Sequence, residues 1–429
     1  MKVYQQATVL EASLQRLQYL FAEFKHVYFS FSGGKDSGCM VQLANEVALK
    51  LGRKFDLLIL DIEVNYDSTC EFIEKIKELP SVGECYHFCL PFYEDNTASI
   101  FQPQWIMWNP KEKEKWVQPL PMDAIQLEDL DKYLKKIYYA TNGNPDRFLR
   151  FFSYWYKKKH NDEAVVCCIG IRSQESINRY RAIVGGKKKY KHRSWINQYA
   201  TGVYNAYPIY DWRSEDIWGA TIKYKWAINY FYERMYKLGI PLSEMRICQP
   251  FGLQQRKGLM QYAFVEPKTW ERVLNRVSGA NFGKLYSKTT LLGHYKSNKP
   301  SYMTWQEYAV FLLETTGLYS KKLQDHYYRK IKILMEYYQK NFDMNIEDIP
   351  EEATKKEIEK DERLWHNWKG IARALEKNDF SLSTRQYSLT KQDEKELYEL
   401  YSLHKNELGI EHLSEYQLKR LDKFATDRH

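Results

Sequence analysis

The sequence points to an α/β fold: an open, mostly parallel sheet with helices on both faces, followed by a mainly helical C-terminal region. Three observations carry this. Short apolar runs of strand length, "HVYFS", "FDLLIL" and "AVVCCIGI", are each followed by a turn and then by apolar residues at helical spacing. Strands alternating with helices build right-handed βαβ units and hence a parallel sheet. Past about residue 240 the strand signal fades while helical periodicity continues.

The chain opens with an amphipathic stretch in which Val9, Leu10, Leu14, Leu17, Leu20, Phe21 and Phe24 recur at three- and four-residue steps. Val27, Phe29 and Phe31 then alternate with Tyr28 and Ser30, as in a strand. The next apolar run, Leu57 to Leu60, is continuous, as expected of a strand buried on both faces, and Asp61 ends it. Thr69 to Leu79 read as a helix, 80–125 as a strand with irregular structure, and 126–158 as helical with a break at "TNGNP". "AVVCCIGIRSQESINRYRAI" repeats the order strand, turn, helix. From Ser214, a plausible N-cap, the chain reads as helix through "RSEDIWGATIKYKWAINYFYERMYKLGI". Further helices are expected over 268–277, 304–316, 321–342, 351–377 and 390–406, with Thr304 and Glu307 forming a capping box. The expected division is an N-terminal helix packed on the core (1–25), an α/β domain (26–240) and a mainly helical C-terminal domain (241–429).

The loop after the first strand is Ser32, Gly33, Gly34, Lys35, Asp36, Ser37. A glycine turn at a helix N-terminus presents backbone N–H groups to an anion. The glycines allow close approach and positive φ, the serines add hydroxyl donors and Lys35 adds charge. The string is neither the Walker pattern, since Asp36 follows Lys35, nor a G-x-G-x-x-G fingerprint. Ligands of an open parallel sheet bind at the carboxyl ends of its strands. Ser32–Ser37, Asp61 and Gly170–Arg172 all fall at such ends, so three separate stretches converge on one crevice.

Composition narrows the class. The chain has 429 residues, 44% hydrophobic and 16% aromatic, with 35 tyrosines and a net charge of +9; its mean hydropathy is −0.63. It contains no run of eighteen apolar residues and no charged-then-apolar leader, so no membrane role and a cytoplasmic location are expected. Seven cysteines at irregular spacing do not form a disulfide framework and read as core residues. His87 lies between Cys85 and Cys89, but no second pair at zinc spacing follows. Thirteen Lys/Arg against three acids between Arg147 and Arg193 give that segment +10. Such a patch is an electrostatic footprint for polyanions. The basic loop over 185–193, with Tyr190 and Trp195 interleaved, could hold nucleic acid or another polyanion.

"SFSGGKDS" resembles the pyrophosphate-binding (PP) loop of the adenine-nucleotide α-hydrolase superfamily, the N-type ATP pyrophosphatases. "IGIRSQESINR" and "YPIYDWRSEDIW" resemble two elements of the phosphoadenosine phosphosulfate reductases. The three occur in the family's order over about residues 20–235. The whole chain, including "MTWQEYAVFLLETTGLYSKKLQDHYYRKI" and "WHNWKGIARALEKNDF", resembles the reductase-like subfamily of the immunoglobulin-binding regulator A proteins. The resemblance implies that Ser32, Gly33, Gly34, Lys35, Asp36 and Ser37 cradle the phosphates of ATP or a related adenosine nucleotide. It places Asp61 near the adenosine and Gly170 close to the nucleotide. Arg172 and Arg179 would hold an anionic substrate, oriented by Glu175 and Ser176. Lys35 and Asp36 would be catalytic, with Mg²⁺ as cofactor and Asp36 a candidate metal contact.

The departure from the family is in its cysteines. The reductases attack sulfur with a cysteine in a C-terminal Glu-Cys-Gly-like segment. Here none occurs in the last 181 residues, and Cys248 sits in the dissimilar "MRICQPFGLQQ". Three functional readings follow: an ATP pyrophosphatase that adenylates an acceptor; a sulfonucleotide reductase-like enzyme using Cys248; or a nucleotide-sensing regulator acting with a ParB-like partner.

Overall fold

The computed structural model describes residues 6–96, 104–185, 188–242, 245–247, 251, 263–277, 299–380, 382, 390–393, 395, 396 and 399. The chain divides into two compact units. The first comprises 1–93, 106–249 and 261–272; the second comprises 94–105, 250–260 and 273–429.

The first unit is built on a six-stranded sheet. Its strands are β1 (His26–Ser30), β2 (Phe55–Leu60), β3 (Val82–Phe88), β6 (Val165–Ile169), β7 (Ile196–Ala200) and β8 (Val203–Ala206). Their order is β3-β2-β1-β6-β8-β7, parallel throughout except for β7 against β8. A short ribbon pairs β4 (Tyr93–Asp95) with β5 (Gln104–Ile106). The chain runs from β1 outward to β2 and β3, then crosses to β6 on the other side of β1 and continues on that side to β7 and β8, so the topological switch point lies between β1 and β6.

Alternation along the strands decides what each face packs against. Val27, Phe29, Phe31, Leu57, Ile59, Val166 and Cys168 share one core. Onto it pack α1 (Val9–Glu23), α2 (Lys35–Lys50), α3 (Asp67–Lys77) and α7 (Ser214–Lys223). Leu17, Leu20 and Phe21 of α1 are fully buried there. On the opposite face Tyr28, Tyr86 and Phe88 meet Phe148, Phe152 and Tyr156 of α5 (Pro145–Lys159) in edge-on and tilted ring contacts. Each such ring contributes about 2 kcal/mol by leaving water. Helices therefore cover both faces. The break at "TNGNP" separates α4 (Lys132–Ala140) from α5, with Asn144 capping the latter.

Two helical expectations change in detail. The stretch from Ser214 is two helices, α7 and α8 (Tyr230–Lys237), interrupted at Lys225 with φ +53°. Arg213, not Ser214, is the N-cap of α7, and its N–H is taken by the Asp216 carboxylate at 2.6 Å. This frees the Ser214 hydroxyl for the site described below. A further helix, α9 (Pro267–Arg276), agrees with the sequence reading to within a residue.

Beyond the β4–β5 ribbon, most of which falls in it, the second unit is helical where described. Its elements are α10 (Trp305–Tyr319), α11 (Lys321–Phe342), α12 (Lys355–Lys360) and α13 (Trp368–Glu376). The expected 351–377 helix is thus two helices flanking a short 3₁₀ turn, Glu362–Trp365. Thr304 and Glu307 do form a capping box, with bonds of 2.7 and 3.1 Å. The core joins Leu313, Leu323, Tyr327, Leu334, Tyr338, Trp368 and Ile371.

Candidate functional site

The β1–α2 loop lies at the switch point. Gly33 has φ +70°, a left-handed conformation that costs other residues strain, and a Cβ there would meet Thr69 Cγ2 at 2.7 Å. Gly34 caps α2, whose first helical bond runs from the Gly38 N–H to the Gly34 carbonyl at 2.9 Å. Inside the turn the Ser32 and Ser37 hydroxyls are 3.1 Å apart, and Ser37 Oγ donates to the Gly34 carbonyl at 3.2 Å. Gly170, at the end of β6, supports the turn from the other side of the switch point. A Cβ on Gly170 would lie 2.9 Å from Ser37 Cα and 3.1 Å from Ser37 N. Glycine is therefore required there by backbone-to-backbone contact.

Residues that the sequence reading did not single out hold the loop from outside. Asn229 Nδ2 donates to the Gly33 carbonyl at 3.0 Å and to Thr69 Oγ1 at 2.9 Å. The Lys35 N–H donates to the Tyr232 hydroxyl at 3.2 Å. Both partners come from the start of α8. The asparagine N-cap of α8, inside a stretch that reads as one helix, was the available signal. Lys35 Nζ is nearly buried, 3.3 Å from the Met245 carbonyl and 5.4 Å from the centre of the Tyr232 ring.

A buried charge cluster joins the loop to the β6–α6 connection, where α6 is Ile177–Val184. Arg172 donates to both carboxylate oxygens of Asp36, at 2.9 and 3.4 Å, and to Ser214 Oγ at 3.4 Å. Glu175 lies 3.8 Å from Arg172 and also binds Arg179. Ser176 caps α6 by accepting the Arg179 N–H at 3.2 Å. The Arg172 side chain is only 3% exposed, whereas that of Arg179 is 41% exposed. Arg172 therefore sits within the cluster while Arg179 reaches the surface. Asp36 is the counter-ion of Arg172 and Lys35, with cations on both oxygens, so the structure does not present it as an open magnesium ligand.

Asp61, expected beside the adenosine, is buried at the end of β2. Its carboxylate accepts the Glu63 N–H at 2.7 Å and lies 3.3 Å from His87 Nε2. His87 Nδ1 faces Asp123 at 3.2 Å, and Lys77 binds Asp123 at 2.7 Å.

The basic segment is largely neutralised or packed. Lys159 binds Glu84 and covers the Tyr86 and Trp155 rings; Lys191 binds Glu23; Arg193 stacks on Tyr19. The two aromatics expected to stack bases are engaged elsewhere. Trp195 is in the core, and Tyr190 packs on Phe24 and Tyr204 and binds Glu23. The cause is α1, whose apolar face needs those rings.

Residues 26–239 match the phosphoadenosine phosphosulfate reductase domain, and residues 239–376 match a domain of unknown function, DUF3440. The uncharacterized protein YbdN of Escherichia coli is 34% identical over 399 residues, covering 89% of this chain and 91% of that protein. This chain belongs to the phosphoadenosine phosphosulfate reductase-like family of the PP-loop superfamily. The uncharacterized protein MJ0066 of Methanocaldococcus jannaschii is 23% identical over 49% of this chain and 34% of its own length. A solved phosphoadenylyl-sulfate reductase from Candida auris, in a phosphate complex, is 12% identical over 56% of this chain and 94% of its own, with a TM-score of 0.29.

For a reductase-like PP-loop protein the state of the thiols matters. The six described cysteines are free, and Cys39, Cys89, Cys167 and Cys168 are buried. Burial raises every one of these thiols, with Cys85 and Cys167 pushed up to about 12. None of the six is a ready thiolate nucleophile. Cys248 lies outside the described residues. Among the described residues no helix is long and apolar enough to cross a membrane.

Proposed function

We propose that this protein binds ATP at the Ser32–Ser37 loop and transfers its adenylyl group to an acceptor, releasing pyrophosphate. The acceptor's nucleophilic atom attacks the α-phosphorus, the bond from that phosphorus to the bridging oxygen breaks, and pyrophosphate leaves with the electron pair. The observation that carries the reading is the loop's construction. Two glycines, one with φ +70°, bring the chain into the N-terminus of the sixteen-residue α2, against Gly170, at the switch point. The dipole and N–H groups of that terminus favour phosphate, and Lys35 and Arg172 add positive charge that a leaving pyrophosphate requires. Magnesium would arrive on the nucleotide phosphates, since both oxygens of Asp36 are already paired.

The test is pyrophosphate release from ATP and Mg²⁺ by the full chain and by Lys35→Ala. Release that falls by about 10²-fold or more in the variant supports the reading; unchanged ATP affinity and turnover overturn it.

One observation keeps a sulfonucleotide reaction as the second reading. Lys35 Nζ reaches the Met245 carbonyl, three residues before Cys248. Cys248→Ser separates the two, because loss of turnover with phosphoadenosine phosphosulfate requires that thiol. Tight adenosine-nucleotide binding without turnover of either substrate would leave the nucleotide-sensing role, with a ParB-like protein as the partner to assay.

A further inference from the structure

The carboxyl ends of β2 and β3 bring three buried side chains together. Ligand atoms of Asp61, His87 and Cys89 all lie within 4.8 Å of one another. All three residues are buried, at 3, 1 and 2% exposure. We propose that Asp61, His87 and Cys89 bind a zinc ion that ties the ends of β2 and β3 together.

Geometry and chemistry agree on the metal. A carboxylate oxygen, an imidazole nitrogen and a thiolate form a mixed set suited to borderline-soft Zn²⁺ and poorly suited to Mg²⁺ or Ca²⁺. Zinc bonds to nitrogen and oxygen of about 2.1 Å set a tetrahedral edge of roughly 3.4 Å. The observed Asp61 Oδ2 to His87 Nε2 separation is 3.3 Å. An ion pair alone would account for Asp61 and His87, but not for a Cys89 sulfur within 4.8 Å of both. His87 and Cys89 are two residues apart at the end of a strand, which puts them on one side of the chain.

The outer shell is also built. His87 presents its other nitrogen to Asp123 at 3.2 Å, and Lys77 holds Asp123 at 2.7 Å. A carboxylate behind a histidine fixes the tautomer that leaves Nε2 free for a metal. On binding, the Cys89 thiol loses its proton to solvent and the sulfur bonds zinc. His87 bonds through the Nε2 lone pair, with its remaining N–H donated to Asp123. All three donors are buried, so the ion would tie the two strand ends together away from bulk solvent.

The experiment measures zinc by mass spectrometry in the full chain, purified without chelator and dialysed, and then exchanges it for Co²⁺. Roughly one zinc per chain is expected, with a thiolate-to-cobalt charge-transfer band and tetrahedral d–d bands after exchange. Cys89→Ser and His87→Gln, checked for folding by circular dichroism, should each lose the metal, and the cobalt–thiolate band should vanish in Cys89→Ser. Cys85→Ser, on the same strand but outside the cluster, should keep both signals, as should Lys35→Ala. Wild-type chain that neither carries zinc nor gives the cobalt–thiolate band overturns the proposal, as does full retention of zinc by both cluster variants.

Discussion

Two neighbouring stretches of the sheet's carboxyl edge are built in opposite ways. At β1 the Ser32–Ser37 loop is made of consecutive residues, and its chemistry is mostly backbone: two glycines, a helix start and one lysine. At β2 and β3 the cluster of Asp61, His87, Cys89 and Asp123 is made of side chains drawn from three separate stretches of chain. The first has the geometry proposed here to hold an anion, and a short string can encode it. The second concentrates donors of the kind that hold a cation, and it exists only once β2 and β3 are paired in register. Positive and negative binding features therefore sit one strand apart without mixing, because Arg172, Asp36 and Glu175 close the first set among themselves.

The comparison can be broken most sharply at Gly33. Gly33→Val places a β-branched residue at φ +70° and drives its Cβ into Thr69, so pyrophosphate release should fall by about 10²-fold or more while bound zinc is retained. Steady-state assays with metal analysis check this, and loss of both properties together would show that the two features are not independent. Next, Arg172→Ala removes the buried cation that Asp36 and Glu175 share, leaving Lys35 alone on Asp36 and Arg179 alone on Glu175. A loss of about 3 kcal/mol in urea unfolding is expected, and Arg172→Lys should recover only part of it, because one ammonium cannot reproduce the fork. Asp123→Asn sharpens the second half. Zinc affinity measured by chelator competition should weaken by roughly 10- to 100-fold, with pyrophosphate release little changed. The smallest effect is expected in the helical unit: Thr304→Ala should cost about 1 kcal/mol through its capping box and leave both nucleotide and metal readouts intact.

The sequence by itself determined the fold class and the loop. Strand-length apolar runs followed by helical periods are local signals, and a glycine turn before a helix has only a few conformations open to it. The placement of Ser32–Ser37, Gly170 and Arg172 at strand ends was legible for that reason, as was the capping box at Thr304. Only the tertiary structure decided what each charged or polar side chain faces. Asp36 read as a metal contact became the counter-ion of Arg172, 136 residues away. Asp61 read as an adenosine contact turned into the protein towards His87. Trp195 and Tyr190 read as base-stacking rings were taken by α1, and the single helix expected from Ser214 broke to bring Asn229 and Tyr232 onto the loop. The physical reason is common to these cases: backbone conformation is fixed by near neighbours, whereas a buried side chain's partner is fixed by strand register and helix packing between residues far apart in the chain.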